Sequence, residues 1–187
     1  MMTQRFGSGY RYPHISYNST IMPRLSYTID RFSELLGELK KEQSILSKEN
    51  KSTLNNTTDY EKEDIARLET EKTVSFAIES LSQIYKKIQN LSTIDTFPSV
   101  LPSAILVIRT ISASLYEIMP KTSHELSELS TVLGSVVMDS GTITGAKFDF
   151  AEHNNASWVM LDEAKLMVDS KINKQYPNLD FPKLCDT

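Results

Sequence analysis

Apolar side chains recur every three or four positions through most of this chain. Leu25, Ile29, Phe32, Leu36 and Leu39 trace one such series, with Leu46 a heptad further on and Gln43 breaking the seam between them. On a helix of 3.6 residues per turn that spacing makes one apolar stripe, so it predicts a first helix over about 23–48. Pro23 suits its first helical position. The polar run 50–58 follows, and Thr58 with Glu61 has capping-box spacing. A second helix is expected from there to about residue 91, on the stripe Val74, Ile78, Leu81, Tyr85 and Ile88. Two long helices joined by a short polar connector predict an antiparallel hairpin over 23–94, with the two stripes facing each other.

Pro98 and Pro102 close that pattern. A third helix is predicted over 102–119, on Ala104, Ile108, Ile111, Leu115 and Ile118, and Pro120 stops it. Ile105, Leu106 and Val107 make its start apolar nearly all round, so it needs cover on several sides. Arg109 near its middle argues for a buried helix and not a membrane span. Thr122 and Glu125 again have capping-box spacing and open a fourth helix over 122–139, with Leu126, Leu129, Leu133 and Val136 on one side. Residues 140–154 read as a loop. A last helix is predicted over 155–175, with Trp158, Leu161, Val168 and Ile172 on one face. Residues 1–22 lack helical period and read as a flexible basic and aromatic arm, while 176–187 is a proline-containing tail resembling a docking peptide. The fold class expected is therefore all-α: a long antiparallel hairpin with additional shorter helices.

Composition narrows the function. The net charge of −4 argues against a general nucleic-acid binder. The charge is uneven: residues 1–58 hold eight basic and five acidic side chains, residues 59–187 twelve and nineteen, and no acid precedes Asp30. The single cysteine, Cys185, cannot form an internal disulfide, which fits a reducing cytosol. His14, His124 and His153 lie far apart in no ligand spacing, so no metal and no cofactor is expected. Asp139-Ser140-Gly141 opens like a calcium loop but places the apolar Ile143 at the fifth position. No nucleophile elbow or phosphate loop occurs, and no catalytic residue is assigned. The expectation is a protein that is not an enzyme.

Residues 118–141 have a more specific character. Ile118-Met119-Pro120, then Glu125-Leu126, Leu129, Leu133, Val136-Val137 and Asp139-Ser140-Gly141 resemble a segment of archaeal ESCRT-III proteins of the CdvB type. Asp162-Glu163-Ala164, Ile172 and Tyr176-Pro177-x-Leu179 resemble the pattern with which those proteins close. The order of a long hairpin followed by shorter, more acidic helices is similar too. These motifs cover about a third of the chain; the first hundred residues match only in helix layout.

The resemblance implies a polymer-forming subunit, cytoplasmic and peripheral on the inner face of the cell membrane at the division site. Its partners would be copies of itself and paralogous subunits, an anionic membrane surface and a hexameric AAA-class ATPase. Membrane-facing candidates are Arg5, Arg11, Arg24 and Arg31, and the ATPase would dock on Leu179, Phe181, Pro182 and Leu184. The hairpin would be packed by Leu25, Ile29, Phe32, Leu36 and Leu39 against Ile78, Leu81, Tyr85 and Ile88. The first helix departs from the family in being almost charge-balanced, where a membrane-facing helix is usually clearly basic. The same stripes also suit a helical coiled-coil scaffold or adaptor with no membrane role.

Overall fold

The computed structural model describes residues 15–54, 62–91, 93–145, 147 and 149–177. It is all-α, with no strand among the described residues. Helix α1 spans Ile15–Leu54, α2 Lys62–Gln89, α3 Phe97–Leu115, α4 Pro120–Thr144 and α5 Phe150–Gln175, and a single 3₁₀ turn, Ile94–Thr96, leads into α3. At 1.5 Å per residue α1 is about 60 Å long and α2 about 42 Å. They run antiparallel: Phe32 stacks on Tyr85 at 5.9 Å between ring centroids, while Gln43 reaches Ser75 and Asn50 reaches Glu71.

Helix α3 explains the arrangement of the rest. Phe97, Leu101, Ala104, Ile105, Val107, Ile108, Ile111 and Leu115 are all buried, and no single neighbour can cover such a circumference. Accordingly α2, α4 and α5 all pack on α3, while α1 packs on α2 and α4. By length and composition α3 could cross a membrane, with a mean hydropathy of 1.4, but in the fold it is the core of the bundle. Ser112 and Ser123 let α3 and α4 approach closely. Each hydroxyl donates to the other residue's backbone carbonyl at 2.7 Å, so no polar atom of the pair is left unmet.

Several helix ends differ from expectation, each for a local reason. Helix α1 begins at Ile15, so Pro23 lies inside it and residues 15–22 are helical, not part of an arm. Ile21 and Leu25 are buried on either side of that proline, and their burial is what favours continuing the helix through it. Helix α3 begins at Phe97, before both prolines. Pro98 sits where an N–H has no intrahelical partner anyway. Pro102 forfeits one ladder bond at a cost of about 3 kcal/mol, which burial of Phe97 and Leu101, about 1.5–3 kcal/mol each, offsets. The last residues expected in this helix, 116–119, are instead a turn into α4.

Thr122 and Glu125 do not form a capping box. Met119 is the N-cap, Pro120 the first helical residue, Thr122 is buried, and Glu125 is drawn into an ion pair with Arg31. Helix α4 continues past Ser140-Gly141 to Thr144 and ends at Gly145, whose φ of 67° is the left-handed conformation a helix C-terminus favours in glycine. Helix α5 starts at Phe150, because the Asp149 carboxylate accepts the backbone N–H groups of Ala151 and Glu152 at 3.0 and 3.2 Å. The expected loop over 140–154 thus gives way to helix over 140–144 and 150–154. The Thr58–Glu61 pair lies outside the described residues.

The core makes a direct prediction. Ile111 is fully buried between α3 and its neighbours. Ile111→Ala should lower unfolding free energy by about 2–5 kcal/mol, read as a shift in the urea midpoint at unchanged slope.

Candidate functional site: the fastenings of helices α1 and α5

Among the described residues, four ion pairs fasten helix to helix in this fold. Arg24 and Arg31 are seven residues apart, so both project from one side of α1, toward α4. Arg24 pairs with Asp139 and donates to Ser135 at 3.0 Å, and Arg31 bridges Glu34 and Glu125. The guanidinium of Arg31 has its pKa raised, chiefly by its hydrogen bond to Glu34 and further by Glu125. Two of the four expected membrane-facing arginines therefore already have carboxylate partners within the fold. Arg5 and Arg11 lie outside the described residues, as do Leu179, Phe181, Pro182 and Leu184.

A second set of fastenings holds α5 against α2. The buried face of α5 carries Ser157, Met160, Leu161, Ala164, Val168 and Ile172. Its C-terminal end is tied by polar groups that sequence reading passed over. Lys72 and Asp169, nearly inaccessible, pair at 2.8 Å. The buried Glu71 carboxylate accepts from Asn50 at the end of α1 at 2.8 Å, from Gln175 at 3.1 Å and from the Tyr176 hydroxyl at 2.8 Å. Gln175 also donates to Ser47, and Lys171 pairs with Glu79 at the rim. Residues Glu71 and Tyr176 thus join α1, α2 and the end of α5 in one network. Burial, and then the neighbouring Glu71 carboxylate, raise the Tyr176 phenol above its ordinary pKa of 10.0, so the hydroxyl stays a donor.

The hairpin residues meet as a seam: Leu25, Phe32, Leu36 and Leu39 of α1 and Leu81 and Ile88 of α2 are buried, with Ile29, Ile78 and Tyr85 half-buried against them. Trp158 does not lie on the buried face of α5. It is 51% exposed, roughly a quarter turn from the centre of the buried arc. Among the described residues no group of three His, Cys, Asp or Glu side chains is placed to hold a metal. A groove of about 680 Å³ between α3 and α4 is open and lined mainly by hydroxyls with Arg109 and His124. The signal for these fastenings was present but ambiguous: Glu71-Lys72 precedes the α2 stripe within a turn of Val74, where polar residues usually mean a solvated face.

Breaking one half of a buried ion pair leaves the other charge uncompensated. Asp169→Ala should therefore cost about 3–5 kcal/mol, with hydrogen-exchange protection lost across α5 before α1–α4, and the apolar pair Lys72→Met with Asp169→Leu should recover most of it. The raised Tyr176 pKa has a defined sign. The neutral phenol is favoured in the folded state, so its contribution is complete below the unfolded value of 10.0 and declines as pH rises above it. Thermal melts above pH 10 should show an alkaline loss of stability that is smaller in Tyr176→Phe.

No family model matches the chain, and no solved structure matches it significantly. It is similar to Cell division protein B1 of Sulfolobus acidocaldarius, with 27% identity over 107 residues, which is 57% of this chain and 49% of that protein. The chain thus spans about half the length of that relative. The likeness is thus partial, and it is to a protein named for cell division.

Proposed function

We propose that this chain is an ESCRT-III-like subunit of the CdvB type, a polymer former that remodels membrane in archaeal cell division. The observation that carries this reading is the partial likeness to Cell division protein B1, found in a chain whose motifs at 118–141 and 162–179 pointed to the same family. The all-helical hairpin with shorter helices packed on it is the architecture such a reading requires. In this reading the subunit acts in the cytoplasm on the inner face of the membrane. It binds copies of itself or paralogues, is recycled by an AAA-class ATPase, and uses neither nucleic acid nor cofactor.

This reading divides the tasks along the chain. Contact with anionic lipid falls to Arg5 and Arg11 in the arm, since Arg24 and Arg31 are engaged by Asp139, Glu34 and Glu125. The ATPase site falls to Leu179, Phe181, Pro182 and Leu184, in the tail after Tyr176. Tyr176 is kept out of that site because it holds Glu71. The internal pairing of Arg24 and Arg31 also favours the second reading, a helical scaffold or adaptor with no membrane role.

Two measurements separate these. Purified protein mixed with anionic liposomes at low salt should co-sediment and form filaments visible by negative stain, with or without a paralogous subunit. Absence of both leaves the adaptor. Removing residues 178–187, with Tyr176 retained, should abolish pull-down of the AAA-class ATPase while assembly persists; unchanged capture would rule out the tail as its docking site.

A further inference from the structure

Helix α5 has a second apolar stripe, on the side away from the bundle. Trp158, Val159 and Leu166 are 51%, 57% and 62% exposed. They fall at helical spacing together with Asn155 and Asp162, so they form one outward strip. A large aromatic and two aliphatic side chains aligned in water are an unpartnered face. Acidic groups outnumber basic ones along this stretch: Glu152 and Glu163 border the strip, Asp162 on it pairs with Lys165 at 3.9 Å, and Asp149 caps the helix.

We propose that residues 1–14 of the same chain lie along this strip. Three observations select that segment. The first is charge: residues 1–14 contain Arg5 and Arg11 and no acid, the complement of the strip, and their Phe6, Tyr10 and Tyr12 supply apolar rings. Arginine beside Trp158 adds a cation–π contact.

The second is position. Helix α1 runs antiparallel to both α2 and α4, with Arg24 beside Asp139 near the end of α4 and Phe32 beside Tyr85 near the end of α2. Helix α5 runs antiparallel to α2, with Met160 beside Lys87 and Lys171 beside Glu79. The start of α1 and the start of α5 are therefore at the same end of the bundle. Two helix–helix spacings of about 8–10 Å separate the axes of α1 and α5 through α2, and fourteen extended residues reach about 46 Å.

The third is size and sign, which disfavour a second copy as the occupant. The exposed apolar area of three side chains is on the order of a few hundred Å², below the roughly 800 Å² a side of a stable interface. Antiparallel self-pairing centred on the strip would also set Asp162 against its own copy. A short cationic peptide suits both the size and the sign.

This docking does not depend on the proposed function. It predicts that the arm, when off any membrane, shields α5. Trp158 is the sole tryptophan, so its fluorescence reports directly. In the full chain its emission should be blue-shifted and protected from acrylamide. Deletion of residues 1–14, or Arg5→Glu with Arg11→Glu, should shift emission to the red and raise quenching, with far-UV helicity unchanged. Added salt should do the same to the full chain and leave the deletion variant unaltered. Equal quenching in all three proteins overturns the proposal. So does protection that depends on protein concentration, which would mark a second copy, or protection seen only with anionic vesicles, which would mark a lipid surface.

Discussion

Helix α3 must be hidden from water over more than half of its circumference, and the remaining helices are placed by that need. Burying Leu101, Ile108, Ile111 and Leu115 each contributes about 1.5–3 kcal/mol, but only if α2, α4 and α5 are all present. A hairpin of α1 and α2 alone would leave α3 half wet. The close approach of α3 and α4 rests in turn on the reciprocal Ser112–Ser123 bonds, which put small polar residues at a contact where bulky ones would hold the helices apart.

Around that apolar centre, charge sets register. The arginines of α1, two turns apart, meet carboxylates near opposite ends of α4, so sliding either helix along the other would strain both pairs. At the opposite end Glu71 gathers Asn50, Gln175 and Tyr176, and Lys72 meets Asp169. Apolar packing alone is tolerant of sliding; these directional contacts are not. The consequence for function is that α5 is held at its far end by polar groups while its near half offers an outward apolar strip. A helix fastened in that manner can serve the bundle and another partner at once.

The hairpin seam was legible because an apolar period of 3.6 has few other meanings. Leu25, Phe32, Leu36 and Leu39 belonged to one face wherever the helix ended. Boundaries were less so. Pro23 and Pro102 read as breaks, since the cost of a proline is local and visible while the burial that offsets it is not. The start of α5 could have been found: Asp149 and Glu152 have capping spacing, but Phe148 and Phe150 beside them lack helical period. Trp158 was placed on the wrong face because an aromatic at helical spacing normally belongs to the core. The arc that α5 buries was chosen by α2 and α3, not by α5 itself.

What the sequence by itself determined is the all-helical class, the pairing of two long stripes and the need of α3 for cover, because each follows from side-chain period and apolar content alone. What only the tertiary structure decided is which charges are consumed inside. Arg24 and Arg31 look the same in sequence as any cations awaiting a surface, and Glu71 looks like any solvated acid. Their partners on α4 and at the end of α5 lie from 94 to 115 residues away, and a contact at such separation is a property of how helices stack. No local pattern encodes it.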